Sequence, residues 1–231
     1  MYSNKYIFLY ASAMVVIVAV LLSVAATVLT PFQEKNVRIE KMQNILSSMS
    51  IESTKKNAED VFAKHIIESK VVNYLGEAIP GDAFEIDLLE ENRKDISLRR
   101  LPLFVATLNS DTLYVIPLHG AGLWGPIWGY VSLKSDLNTI MGANFDHASE
   151  TPGLGAEIST PVFESQFTGK KLYDNNGVFR SVKTIRGGAD VSDNHGVDGI
   201  SGGTITSNGL SSMLEQGLKV YEPFFKKLKD I

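Results

Sequence analysis

The chain has 231 residues, 44% of them hydrophobic, with a net charge of −4 and no cysteine. Disulfides, cysteine-type zinc sites and thiol catalysis are therefore excluded. No Lys/Arg cluster rises above background, which argues against nucleic acid as a partner, and the four histidines lack metalloprotease ligand spacing. The length accommodates one membrane element plus a domain of roughly 150–200 residues, enough to bury a core without covalent staples.

In chain order, a short N-terminus over 1–5 carries one positive residue, Lys5. Residues 6–29 carry no charge at all. As a helix they reach ~36 Å at about 1.5 Å per residue, enough for a hydrocarbon layer of ~30 Å. The rival reading is a cleaved signal peptide, since Ser23-Val24-Ala25 resembles a small-x-small site. The apolar run exceeds the usual ~7–15 residues of a signal peptide, so a retained anchor is expected. Lys35, Arg38 and Lys41 after the span favour a C-terminus inside by charge alone, but long domains translocate largely regardless of charge, so the side stays open. With no Asp, Glu, Lys, Arg or His inside the span, it is expected to be an anchor and not an ion pathway.

Residues 30–100 form a helical membrane-proximal lead-in. Helices are expected over 33–50 and 54–70, the second with Val61, Phe62, His65 and Ile66 on one face and His65 as a packed or half-exposed helix residue and not a ligand. Residues 76–100 are acidic and irregular, with short strands. The soluble domain is expected over 101–231. Leu103–Leu108 and Thr112–Leu118 flank a polar turn and predict a hairpin, and Pro126–Leu133 predicts a third strand. Asp136–Met141 is a candidate short helix. Thr160-Pro161 opens another, with proline at its first position. Gly169–Tyr173 and Val178–Ile185 flank Asp174-Asn175-Asn176-Gly177, a second hairpin signal. A loop over 186–197 leads to a last helix over Ser207–Tyr221, with Leu210, Leu214, Leu218 and Tyr221 on one face and Pro223 ending or kinking it. The fold class is α+β: one N-terminal transmembrane helix, then an antiparallel sheet with packed helices.

Three segments carry possible chemistry. Residues 120–125 match G-x-G-x-x-G, but strand-like Pro126-Ile127-Trp128 follows where a dinucleotide turn needs a helix. A tight glycine-rich turn bearing Trp124 and Trp128 is the better reading; these rings are core or interface residues, or one lies beside a planar ligand. Glu150-Thr151-Pro152-Gly153-Leu154-Gly155 is a constrained loop that brings backbone donors to a ligand or is a plain turn; His147 before it covers a ligand or caps the preceding helix. Asp198-Gly-Ile-Ser201-Gly202-Gly203-Thr204-Ile-Thr206-Ser207 sets hydroxyls and glycines ahead of a helix start, with Ser207 as candidate cap. Such a start suits a phosphate, because its free N–H groups and the positive end of the helix dipole face outward.

Together, the single span, residues 122–130, the loop 150–155 and the segment 198–207 resemble a flavin-binding domain family. Its members include the C-type component of the sodium-translocating NADH:quinone reductase and the G-type component of the Rnf electron-transport complex. The Gly-Leu-Trp-Gly pattern and the longer polar insert lie nearer to the reductase component. The resemblance implies FMN joined by a phosphoester bond to Thr204, a flavin transferase that recognises the segment including Asp198, and a pocket drawing on Ser201, Gly202, Gly203, Thr206, Ser207, Glu150, Thr151, Gly153, Leu154 and Trp124. It further implies a one-electron relay within an inner-membrane complex that couples NADH oxidation by ubiquinone to Na⁺ export. The other membrane subunits are the partners, and the flavin domain lies in the periplasm. No residue takes a catalytic or metal-ligating role, and the chain itself would not bind NADH, reduce quinone or conduct Na⁺. Gly203 departs from the family's alanine, which is expected to loosen the loop. An Rnf-type component and a cofactor-free assembly module are the alternatives.

Overall fold

The computed structural model describes residues 3–229; the first two residues of the predicted N-terminus and the last two of the chain lie outside the described residues. The chain divides into two units, residues 1–41 and 42–231. Helix α1 spans Asn4–Ser48, so the helix expected over 33–50 is the second part of the same element. It is long and apolar enough to cross a membrane. Residues 4–38 are all exposed, with leucine, valine and phenylalanine side chains around the whole helix. An apolar surface of that extent suits a lipid environment, not water.

Unit 42–231 is built on a six-stranded sheet in the order β2-β1-β3-β4-β5-β6. Its strands are β1 Ile66–Val72, β2 Ala78–Ile79, β3 Leu101–Leu108, β4 Asp111–Ala121, β5 Pro126–Leu133 and β6 Ile140–His147, every neighbouring pair antiparallel. The β3–β4 hairpin forms as the sequence predicts, around Asn109 and Ser110, both at positive φ. That is the two-residue turn whose twist matches the strands it joins.

Three expectations are corrected. The helix expected over 54–70 stops early: α2 covers Ala58–His65, and Ile66–Val72 becomes a strand against β3. Val71 and Val72 are buried there, and β-branched residues suit a pleated sheet better than a helix. Asp136–Met141 is not a helix. The Asp136 carboxylate accepts the Asn138 and Thr139 amides, closing a turn that feeds β6. A helix cap and an Asx turn share this sequence signal, because both use a carboxylate to satisfy amides two and three residues on. The second hairpin shrinks to one bridge, Tyr173↔Phe179, although its turn closes through Gly177 N–H to the Asp174 carbonyl. Its arms are held elsewhere: Lys171 bridges Thr139, and β7 (Lys183–Ile185) pairs in parallel with β8 (Gly196–Asp198).

Helix α3 (Leu88–Asn92) lies in the acidic stretch, and the helix after Thr160 forms as α4 (Pro161–Ser165). The last long helix, α5, runs Thr204–Lys219, with α6 (Glu222–Lys229) after a break. Pro223 falls in the first turn of α6, where its missing N–H is not needed. α5 packs on β4, burying Leu210, Met213, Leu214 and Leu218 with Leu118 and Val131. The buried Tyr221 hydroxyl donates to the Pro102 carbonyl at 2.7 Å, tying the end of α5 to β3. On the opposite sheet face, the rings of Phe62, Phe84 and Phe104 meet edge-to-face at 5.1–6.2 Å. β3 is thus covered on both faces, which explains its continuous apolar run.

At the outer edge of the sheet, Glu164 of α4 accepts the Phe145 amide at 2.7 Å and the Asn144 side-chain amide at 3.2 Å. Burial raises this carboxyl to about 7; the Phe145 amide pulls against the rise and the charge of Asp146 adds to it. A carboxyl whose folded value lies above its ordinary 4.5 favours folding when protonated, and that contribution is lost as pH rises through 7. Glu164→Gln should match the parent chain in thermal stability near pH 4 and exceed it at pH 8. Melts of the detergent-solubilised chain across that range check this.

Candidate cofactor-binding site

The three sequence motifs meet at one end of the sheet. Gly122-Leu123-Trp124-Gly125 is the tip of the β4–β5 hairpin, closed by Gly122 N–H to the Gly125 carbonyl at 2.8 Å. β6 lies beside β5 and ends at His147, opposite Ile127, so loop 150–155 emerges next to that tip. α5 lies along β4 and places its first turn at the same end. Between them is a cleft of about 230 Å³, lined by Leu123, Trp124, Glu150, Thr151, Leu154, Gly155, Gly202, Gly203, Thr204, Ile205 and Thr206.

Of the predicted site residues, Trp124, Glu150, Thr151, Leu154, Gly202, Gly203, Thr204 and Thr206 line this cleft; Gly153, Asp198, Ser201 and Ser207 do not. Asp198 instead accepts the Ala189 amide at 2.8 Å and, through its own N–H, holds Gln166, anchoring the 186–197 loop. The Gly153 amide donates to Glu157. Leu123, Gly155 and Ile205 join the lining without having been predicted. They sit inside the motifs, but which of them faces the cleft depends on the phase of a turn and a helix, which local sequence does not state.

The helix begins at Thr204, three residues earlier than expected, with Gly203 at the cap position and no side-chain cap. Gly202 at φ +74° makes the preceding turn in a region open to glycine. Ser207 is not the cap: it is buried, and its hydroxyl accepts the Ile200 amide at 3.1 Å. The early start sorts the hydroxyls. Thr206 is buried and donates to Glu150, Ser207 is spent on the turn, and Thr204 is exposed in the first turn, among the free N–H groups and at the positive end of the dipole. Gly203 is buried at the cap of α5. A methyl there would stand 2.8 Å from Cγ2 of Ile200, whose side chain already fills the space.

Glu150 joins the pieces. It is 5% exposed; Oε1 accepts the Trp124 amide at 2.8 Å and Oε2 accepts the Thr206 hydroxyl at 2.6 Å. Burial opposes its charge, but the Thr206 hydroxyl, the Trp124 and Leu123 amides and nearby His147 together hold the carboxyl below its ordinary value, so it is an anion at neutral pH. A Cβ on Gly122 would overlap Oε1, and one on Gly155 would overlap Oε2. His147 ends a strand, so it caps no helix; its Nδ1 accepts the Glu150 amide at 3.2 Å.

The rim is apolar and open. Trp124 is 66% exposed and Ile205 57%, with Leu123 and Leu154 exposed beside them. Trp128 is half-buried in β5 and does not reach the cleft. The arrangement offers an accessible hydroxyl where an anion is favoured, next to flat apolar surface for a ring. A larger cleft of about 710 Å³ between α3, β4 and α5 contains no motif hydroxyl.

The FMN-binding domain family matches residues 122–219, the stretch that contains every wall of the smaller cleft. The C-type component of the Na⁺-translocating NADH-quinone reductase of Vibrio vulnificus is 34% identical over 92% of this chain and 90% of its own. The crystal structure of the same component from Parabacteroides distasonis superposes with a TM-score of 0.79 at 45% identity, covering 85% of this chain and 96% of the other. Shewanella oneidensis NqrC superposes with a TM-score of 0.71 at 28% identity, over 84% of this chain and 98% of its own.

Gly155→Ala should break the carboxylate bridge, because the new methyl must displace Oε2 and the Thr206 hydroxyl together. A loss of about 1–3 kcal/mol in stability is expected from overpacking, read by denaturant titration of the chain in detergent.

Proposed function

Because the chain belongs to the NqrC family of the Na⁺-translocating NADH-quinone reductase, we propose that Thr204 carries FMN through a phosphoester bond. The chain is an FMN-carrying subunit of such a reductase, with one helix suited to anchor it in a membrane. The finer reading puts the flavin domain on the periplasmic side of the inner membrane. Attachment is by a flavin transferase that reads the 198–207 segment, and the chain relays single electrons between neighbouring redox subunits.

The observation that carries the assignment is the sorting of the hydroxyls. Thr204 alone among Thr204, Thr206 and Ser207 is exposed, and unlike Ser201 it lines the cleft. The first turn of α5 favours the phosphate charge that remains after esterification. Trp124 and Leu154 offer apolar faces on which an isoalloxazine ring can rest. Asp198, which organises the loop before the motif, is exposed and available to a transferase.

When bound, FMN supplies the electron-transfer chemistry itself. The chain's residues do the rest. Thr204 tethers the group against loss, the α5 amides hold its anionic end, and Glu150 keeps the hairpin tip and helix start together.

The test is a denaturing gel of the full chain made with the transferase. The wild-type band should fluoresce as flavin and gain the mass of FMN minus water. Thr204→Val should be dark, and fragmentation of the flavinylated wild-type peptide should put the added mass on Thr204. A dark wild-type band, or a bright Thr204→Val band, overturns the assignment.

A further inference from the structure

We propose that Glu150 is a charge-setting, positioning residue: its fixed negative charge in the floor of the cleft holds down the reduction potential of the flavin on Thr204. This rests on the assignment of Thr204 above. The carboxylate is buried, lines the same cleft as Thr204, Trp124 and Leu154, and has both oxygens held by neutral donors. Among the described residues no Lys or Arg forms an ion pair with it. The neighbouring titratable group is His147, whose Nδ1 accepts the Glu150 amide; it makes no hydrogen bond to the carboxylate and acts on it only through space.

Neutral dipoles orient a charge but do not cancel it. Near a surface partly shielded from water, an uncompensated charge acts over several ångströms with far less attenuation than in bulk solvent. A flavin held here would gain negative charge on taking up an electron without a proton, and a fixed anion beside it would oppose that uptake. The carboxylate's position is closely set. The Gly122 and Gly155 backbones leave no room for a side chain beside either oxygen. A structural clamp alone needs a hydrogen-bonding group at this place but does not need a net charge.

Two substitutions separate charge from clamping. Glu150→Gln removes the charge: its amide oxygen can still accept the Trp124 N–H, and its amide nitrogen can donate to the Thr206 hydroxyl, which reverses the direction of that bond. Thr206→Val retains the charge and removes one of the donors that disperse it. Spectroelectrochemical titration of the full flavinylated chain in detergent, at one pH, should show the midpoint moved up in Glu150→Gln and down in Thr206→Val. A purely structural role moves both in the same direction or neither.

An unmoved Glu150→Gln midpoint, or equal upward shifts in the two variants, overturns the proposal. If one variant carries no flavin, the direction of shift in the other decides. If both lack flavin while the wild type carries it, Glu150 serves maturation and the proposal fails. The fluorescence of the wild-type band distinguishes failure here from failure of the Thr204 assignment: a bright band with unmoved variants sinks the charge role alone, and a dark one sinks both.

Discussion

A buried carboxylate cannot stand without donors, and Glu150 finds its donors on two different elements. The Trp124 amide comes from a hairpin tip and the Thr206 hydroxyl from the first turn of a helix more than fifty residues further on. An unpaired charge in that position would be strongly disfavoured, so the carboxylate is stable only while tip, loop and helix are assembled. Glu150 thereby makes the site a single unit. Glycines at 122 and 155 belong to the same constraint, because they let the backbone pass close enough to the oxygens for both bonds to form.

The same constraint divides the hydroxyl residues by role. Burial of Thr206 and Ser207 commits them to the scaffold and leaves Thr204 to solvent, at the point where amides and dipole favour an anion. An apolar rim of Leu123, Trp124, Leu154 and Ile205 stands around it. For an FMN-carrying subunit this separation is useful. The hydroxyl proposed to bear the cofactor can be reached from outside, while Thr206 and Ser207 are buried in the scaffold. Helix α1 is long and apolar enough to cross a bilayer, as a subunit of a membrane complex requires of an anchor.

Much of this was legible in the chain itself. The uncharged span, the β3–β4 hairpin, the proline-started α4 and the α+β class all follow from local periodicity and turn chemistry, because those elements are stabilised by their own residues. Where the local signal served two structures equally well, the reading went astray. Asp136 satisfies amides in a turn as it would in a helix, and Ser207 stood where a cap would stand. The strand over Ile66–Val72 was hidden in a helical pattern, because only its pairing with β3 decides between the two. The second hairpin had its turn but lost its ladder to bridges with distant partners.

By itself the sequence determined the uncharged apolar span, the layered class and the identity of the three motif segments, since residue type and spacing are enough to mark a span, a turn or a glycine-hydroxyl run. Only the tertiary structure decided that these segments share one cleft, that helix α5 begins at Thr204, and that Glu150 bridges the hairpin tip to the helix. Those facts depend on which sheet edge each loop leaves and on the phase of the helix against β4, and both are set by contacts between residues far apart in the chain.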